Sequence, residues 1–318
     1  MNDDTQSGRS RLDNIRLTEG PDRCQAVFNE TCQKDKAAAS ALINDQRLTF
    51  PSLFILLPQI ESFRLHPHLS SIKKNASQIT AQILKPTNAG YLTQKSNAEY
   101  AALKWILETG KPEDGLNDDF DEVLDICVSV LINLYRDKSI LPAVADMIFT
   151  RAGKGRDIHN LTWAYFRITD PYALKLLAQR IASPRDSGLA CNLLNIDADT
   201  SREKQAEAYL RWLDDNSPFL YFTDESFQMS SSPAFYRVDL ERKYIQKSAS
   251  SYVKQQVVPS DNIERRCLKA FRSLEDKEKQ ILSDYSHKTH GDLSKWKTWM
   301  ALPVDEQIAA ARQGREDV

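Results

Sequence analysis

Glycine is scarce in this chain, at 10 of 318 residues, whereas an average protein contains roughly 7% glycine. Tight hairpins, bulges and phosphate-binding loops need glycine because it adopts backbone conformations that other residues avoid. The shortage therefore favours helices. The stretch Gly153-Lys154-Gly155 lacks the third glycine of a dinucleotide fingerprint, and no Gly-Lys-Ser or Gly-Lys-Thr sequence occurs. We therefore expect no nucleotide-binding site of either type.

Long apolar runs and an excess of charge of one sign are also missing. The longest apolar run covers residues 53–57, far short of the roughly 20 residues that a membrane-spanning helix needs. The 42 basic and 44 acidic residues give a formal charge of −2, so no overall field attracts nucleic acid or an anionic bilayer. We expect neither a membrane nor a nucleic acid as partner.

The cysteines do not form the pattern of a disulfide framework. There are five of them, an odd number, and they are widely spaced: Cys24, Cys32, Cys127, Cys191 and Cys267. This pattern indicates structural thiols in a reducing compartment. The first 20 residues are polar and lack the apolar core of a signal peptide. We therefore predict a cytoplasmic protein.

Composition and periodicity divide the chain into five segments. Apolar residues make up 41% of the chain and charged residues 27%, which is typical of globular proteins. The segments are a flexible tail over residues 1–20, an N-terminal helical region over 21–117, a helical-repeat-like region over 118–215, an extended aromatic connector over 216–260 and a C-terminal helical subdomain over 261–318. Within the second segment, Ser96 and Glu99 have the spacing of a helix capping box.

The segment 118–215 has the most regular pattern. Its first helix carries apolar residues at helical spacing: Val123, Cys127, Val130, Leu131 and Leu134. Further helices begin at Asp170-Pro171 and at Ser183-Pro184, where a capping residue precedes a proline. Six amphipathic helices joined by short turns resemble the HEAT/armadillo class of α-solenoid, in which helical pairs bury their apolar faces against neighbouring pairs. A compact irregular bundle is the alternative.

The predicted fold class is therefore all-α, with irregular stacked helical hairpins, a C-terminal helical subdomain and an aromatic-rich extended connector. The connector contains the aromatic residues Phe219, Tyr221, Phe222, Phe227, Phe235 and Tyr236. We interpret them as an extended segment or a small hairpin that packs onto the helices. A partner-binding lid is the alternative interpretation.

A group of basic residues is the sharpest local signal for a binding site. Arg151, Lys154 and Arg156 surround a turn before a helix that begins near Asp157, and helix N-termini attract anions. We predict that a phosphate or an acidic partner binds there; a solvated loop is the alternative. We interpret the acidic pairs at 118–119 and 121–122 as solvated charges. The predicted partner-binding surface consists of Arg136, Arg151, Lys154, Arg156, His159, Asn160 and Trp163.

No catalytic, metal or cofactor motif is visible. The His66-Pro67-His68 stretch and the pair His287 and His290 lack further ligands nearby in the sequence. We predict a non-catalytic protein-binding or scaffold protein that uses a helical-repeat surface to bind a protein partner. Two alternatives remain: an enzyme whose site is assembled only in three dimensions, for example around His287, His290 and acidic residues, and a nucleic-acid-binding protein.

Overall fold

The computed structural model describes residues 8–85, 95–199, 201–248 and 251–316. The chain forms two compact units, unit 1 up to Ile168 and unit 2 from Thr169 onward. It is 69% helical, with 17 α-helices and two short strands among the described residues. The prediction of an all-α fold is confirmed. The boundary between the units falls inside the segment 118–215.

The described residues of unit 1 are mainly helical. Its described residues form α1 (Arg11–Glu19), α2 (Pro21–Lys34), α3 (Lys36–Asn44), α4 (Phe50–Ser62), α5 (Ser71–Leu84), α6 (Asn97–Gly110), α7 (Asp118–Asn133), α8 (Leu141–Gly153) and α9 (His159–Phe166). Short 3-10 helices cover His66–His68, Lys111–Glu113 and Lys138–Ile140.

Aromatic rings join the middle helices of unit 1. Phe50 of α4 stacks on Phe120 of α7 at a centroid distance of 5.4 Å and meets Trp105 of α6 edge-on at 6.0 Å. The capping residues fix where two of these helices begin: Ser96 accepts a hydrogen bond from the Glu99 amide, and Asn117 accepts one from the Phe120 amide. The capping signal predicted at Ser96 is confirmed.

The first helix corrects the prediction of a flexible tail over residues 1–20. Residues 1–7 lie outside the described residues, but residues 11–19 form α1, which is capped by Ser10. Asp13 is only 1% exposed. Its carboxylate accepts hydrogen bonds from Ser10 Oγ at 2.5 Å, Ser52 Oγ at 2.6 Å and the Thr49 amide at 3.1 Å. Arg16 donates from Nε to Ser52 Oγ at 2.9 Å. These buried polar contacts hold α1 to α4.

Unit 2 combines three helices, a small sheet and a helical C-terminal part. Its described residues form α10 (Pro171–Ile181), α11 (Ser187–Leu193), α12 (Arg202–Asn216), β1 (Leu220–Phe222), β2 (Tyr236–Val238), α13 (Leu240–Tyr244), α14 (Asn262–Arg272), α15 (Asp276–Thr289), α16 (Leu293–Ala301) and α17 (Val304–Glu316). A 3-10 helix covers Ser217–Phe219. Helix α10 packs against α11 and α12, and α13 packs against α15.

The segment 216–260 is extended only in part. Strands β1 and β2 are antiparallel, with Leu220 opposite Val238 and Phe222 opposite Tyr236, so the small hairpin considered for this segment is present. Contrary to the prediction, the segment also contains α13, because Asp239 caps a helical turn by accepting from the Arg242 amide. Tyr244 at the end of α13 stacks on Phe271 at a ring-centroid distance of 4.5 Å.

In the described ranges, no helix combines the length and the apolar character needed to cross a bilayer.

We predict that Asp13→Ala lowers the free energy of unfolding by roughly 3 kcal/mol, because it leaves the buried hydroxyl groups of Ser10 and Ser52 without their carboxylate acceptor. Chemical denaturation measures this. Asp22→Ala, at an exposed position in the first turn of α2, is the control and is expected to cost at most about 1 kcal/mol. Equal effects of the two substitutions would contradict the anchoring of α1.

Candidate functional site

The structure buries Arg151, one of the predicted site residues. Arg151 lies at the end of α8 and is 4% exposed. It donates from Nε and Nη2 to the carboxylate of Asp114 at 2.7 to 3.0 Å, and its Nη2 lies 2.8 Å from Asp125 Oδ1. The interpretation of Arg151 as a surface cation for a phosphate or an acidic partner is therefore wrong.

Arg156 is also paired. Its Nη2 lies 2.7 Å from Asp121 Oδ2, and Asp121 accepts a second hydrogen bond from the Gly115 amide at 2.7 Å. The side chain of Asp121 is only 13% exposed, so the interpretation of this carboxylate as a solvated charge is wrong. The group of five charged residues, here called the buried charge cluster, consists of Asp114, Asp121, Asp125, Arg151 and Arg156.

Three carboxylates face two guanidinium groups in the buried charge cluster. Asp125 lies one helical turn beyond Asp121 on α7, and its side chain is 13% exposed. Burial raises the pKa of Asp125 to about 6, although the nearby Arg151 opposes this shift. The two arginines are therefore neutralised by carboxylates within unit 1, which weakens their attraction for an external anion.

The other predicted surface residues are accessible. Lys154, His159 and Asn160 are exposed. Arg136 is exposed and donates from Nη1 to the Arg167 carbonyl at 3.1 Å. Trp163 is half-buried, with the Arg167 guanidinium 5.4 Å from its ring centroid. Arg167 thus contacts both Arg136 and Trp163. The role of Arg136, Lys154, His159, Asn160 and Trp163 in partner binding stays a prediction.

A groove in unit 2 is a stronger candidate for a binding site. Its volume is about 490 Å³, and it lies between α12, β2 and the turn that follows α11. We call it the aromatic groove. Its lining residues are Leu194, Asn195, Ile196, Gln205, Ala208, Tyr209, Trp212, Tyr236, Arg237 and Val238.

Hydrogen bonds between tyrosines fix the shape of the aromatic groove. Tyr209 donates from its hydroxyl to the Tyr236 hydroxyl at 2.7 Å, and Tyr236 donates to the Leu194 carbonyl at 2.5 Å. Burial raises the pKa of both phenols, so the hydroxyl groups stay neutral. The Trp212 ring lies 5.3 Å from Tyr209 and 6.3 Å from Tyr236 and is half-buried. The aromatic groove therefore has its shape before any ligand binds, and the partly accessible ring of Trp212 lies within it.

Gln205 holds the turn at one end of the groove. Its Oε1 accepts from the Asp199 amide at 3.2 Å, and its Nε2 donates to the Asp197 carbonyl. At the other side, Arg237 pairs with Glu225 at 2.8 Å. The described lining residues thus supply apolar surface, amides, neutral phenols and one guanidinium. These groups suit non-covalent binding with a few polar contacts.

Comparison of the chain with protein-family models, with curated proteins and with solved structures finds no match. The resemblance of about residues 119–215 to the HEAT/armadillo class stays a prediction. Function is therefore inferred from the aromatic groove and its surroundings.

The two histidines of the enzyme alternative contact different side chains, although the charges of His290, Asp215 and Asp284 also act on His287. His287 Nδ1 lies 3.2 Å from Gln246 Oε1, and burial, helped by Lys243, lowers the pKa of His287. The His290 ring meets Trp296 edge-on at 5.0 Å. Among the residues that the structure describes, no three His, Cys, Asp or Glu side chains are grouped so as to hold a metal ion.

The aromatic groove is not among the sites predicted from the sequence. Gln205, Ala208, Tyr209 and Trp212 lie at positions i, i+3, i+4 and i+7 of α12, which is the spacing of one helical face. That signal was present in the sequence. Nothing in the sequence showed that Tyr236, 27 residues after Tyr209, completes the site.

We predict that Arg151→Met lowers the free energy of unfolding by about 3 to 5 kcal/mol, because it leaves buried carboxylates unpaired. Denaturant titration provides the measurement. Lys154→Met, at the exposed end of the same helix, is the control, with an expected change within about 0.5 kcal/mol. A small effect of Arg151→Met would mean that the carboxylates do not depend on this guanidinium.

We predict that Asp125→Asn becomes more stable relative to the parent chain as the pH rises from about 4 to about 6. The pKa of Asp125 lies above its ordinary value of 3.8, so its contribution to stability is complete below pH 4 and is lost as the carboxyl ionises. Asparagine does not ionise. The gain is at most roughly 3 kcal/mol.

Denaturation at a series of pH values tests this prediction. Asp119→Asn, at an exposed position on the same helix, serves as the control. A stability difference between Asp125→Asn and the parent that does not change between pH 4 and pH 6 would contradict the raised pKa.

Proposed function

We propose that this chain is a non-catalytic protein-binding protein and that the aromatic groove receives a segment of its partner. The observation that carries the proposal is the half-buried Trp212 in a preformed apolar groove of about 490 Å³. Tryptophan, tyrosine and arginine are the residues that most often dominate the energy of protein interfaces. All three residue types line this groove.

The chemistry of the lining supports binding rather than catalysis. The phenols of Tyr209 and Tyr236 are engaged with each other and with a backbone carbonyl. Neither is placed beside a carboxylate or an imidazole among the described residues that line the groove. Proton transfer needs such a pair within hydrogen-bonding reach, so the groove favours a ligand that is held and not transformed.

The proposal includes the scaffold role and the cytoplasmic location expected from the sequence. The five cysteines are free and buried, which supports a reducing environment. The partner-binding surface predicted in unit 1 is retained as a second surface to test, without Arg151.

We predict that the full chain selects peptides from a displayed library of random dodecapeptides and that Trp212→Ala lowers their affinity by about 30-fold. The loss of a central tryptophan typically costs about 2 kcal/mol or more. Fluorescence anisotropy of labelled synthetic peptides measures the affinity. Tyr172→Ala is the matched control, because Tyr172 is an exposed aromatic residue of α10 outside the groove lining.

Trp163→Ala tests whether the peptides bind to the predicted surface in unit 1 or to the aromatic groove in unit 2. Peptides that lose affinity with Trp163→Ala and not with Trp212→Ala would move the binding site to unit 1. Failure to select any peptide, with the chain folded, would contradict the proposal. The melting temperature of each variant is recorded, so that a loss of folding is recognised.

A further inference from the structure

Helix α15 holds the short helix α13 through polar contacts along one of its faces. Ser283 donates from Oγ to the Leu240 carbonyl at 2.9 Å, and Ser286 donates from Oγ to the Tyr244 carbonyl at 2.5 Å. Helix α13 begins two positions after the end of β2. These contacts therefore also hold the end of the strand that lines the aromatic groove.

Two contacts between side chains continue along the same face. Lys243 donates from Nζ to Asp284 Oδ1 at 2.7 Å, and His287 Nδ1 lies 3.2 Å from Gln246 Oε1. Asp284 and His287 are three positions apart on α15, so their side chains are neighbours on the helix surface. The imidazole of His287 therefore lies in the same polar group as the ammonium of Lys243, whose side chain is only 5% exposed.

Lys243 connects this polar group to the aromatic groove. Its Nζ also donates to Asn216 Oδ1 at 2.6 Å, and Asn216 donates from Nδ2 to the Trp212 carbonyl at 2.7 Å. Asn216 is 3% exposed. Because a buried polar group that loses its partner costs free energy, such bonds hold their groups in one arrangement. The ammonium of Lys243 therefore fixes the end of α12 that carries Trp212.

A proton on His287 adds a second cation to this buried group. Lys243 of α13 and His290 of α15 disfavour the imidazolium, whereas Asp215 at the end of α12 and Asp284 of α15 favour it. Asp284 is already paired with Lys243, and Asp215 is exposed to solvent. Burial, followed by the effect of the ammonium, therefore holds the pKa of His287 below its ordinary value of 6.5.

Three other elements contact this part of the structure. The ring of Phe219, in the 3-10 helix before β1, meets the imidazole of His287 edge-on at 5.3 Å. From α16, the ring of Trp296 meets that of His290 at 5.0 Å. From α17, Arg312 contacts α15 more than two turns before His287. The contact that joins His287 directly to one of these three elements is thus apolar, which also disfavours its charged form.

We propose that His287 is a proton-operated switch of the aromatic groove. Its protonation places a second cation beside Lys243, loosens the contacts between α15 and α13, and shifts the end of α12 with the ring of Trp212. The inference rests on the proposed function, because it describes how the same groove is regulated, but its first test needs no ligand.

The first test follows Trp212 and His287 by NMR in the full chain between about pH 7.5 and about pH 5.5. Labelling with 5-fluorotryptophan gives one ¹⁹F signal for each of the five tryptophans, and Trp212→Phe identifies the signal of interest. This signal is expected to shift with the same midpoint as the imidazole of His287. His287→Gln, which keeps a polar side chain that does not titrate, is expected to abolish the shift.

Two variants test the path from His287 to Trp212. Lys243→Met removes the ammonium and keeps an unbranched side chain, so it is expected to raise the pKa of His287 and to uncouple Trp212 from it. His290→Gln is the matched control on the same helix. It is expected to leave the shift of Trp212 in place and to abolish the pH response of Trp296, which contacts His290.

The second test measures ligand affinity, with dodecapeptides from the random library that contain no histidine as the probe. Their affinity for the full chain is expected to fall about threefold between about pH 7.5 and about pH 5.5, and to stay constant in His287→Gln. Because coupling between two sites is reciprocal, saturation with such a peptide is expected to lower the pKa of His287 further.

The outcomes separate the switch from the proposed function. A Trp212 signal that stays in place while His287 titrates, or that shifts equally in His287→Gln, would overturn the switch and leave the proposed function intact. A coupled shift without any selected peptide would support the switch and contradict the proposed function alone. If His287→Gln does not fold, the two midpoints in the parent chain decide, since unequal midpoints would overturn the switch.

Discussion

The hydrogen bonds from Tyr209 to Tyr236 and from Tyr236 to the Leu194 carbonyl are the contacts on which the functional argument of unit 2 depends. They join α12, β2 and the turn after α11, three elements that are separated along the chain. Because both phenols are buried, breaking this chain would leave polar groups without partners. These hydrogen bonds thus hold the three elements together around the groove in the absence of a ligand, which favours binding because less conformational entropy is lost.

Unit 1 uses its charges differently. Arg151 and Arg156, which resemble an anion-binding group in the sequence, are neutralised by Asp114, Asp121 and Asp125. Burial of a charge is tolerated only with such partners. The cluster therefore links α8 and the turn after it to α7 and the turn before it. The predicted surface residues that remain accessible are Arg136, Lys154, His159, Asn160 and Trp163.

Local signals in the sequence predicted many of the helices, though not α1 or α13, and did not predict the sites. Ser96 and Asp170 cap helices as their spacing predicts, since a cap involves residues two or three positions apart. The burial of Asp13 depends on Ser52, 39 positions later, and Arg151 depends on Asp114, 37 positions earlier. No periodicity reveals such pairings, so the sequence predicts a tail where α1 forms and a ligand-binding role for Arg151, which is buried and paired.

Strand β2 is only three residues long, and this length has a consequence for the aromatic groove. A two-stranded pair is at best marginally stable in water on its own. The position of β2 therefore depends on its side chains, above all on the Tyr236 hydroxyl, which is bonded to Tyr209 and to the Leu194 carbonyl. Loss of that single phenol would loosen the strand as well as the groove beside it.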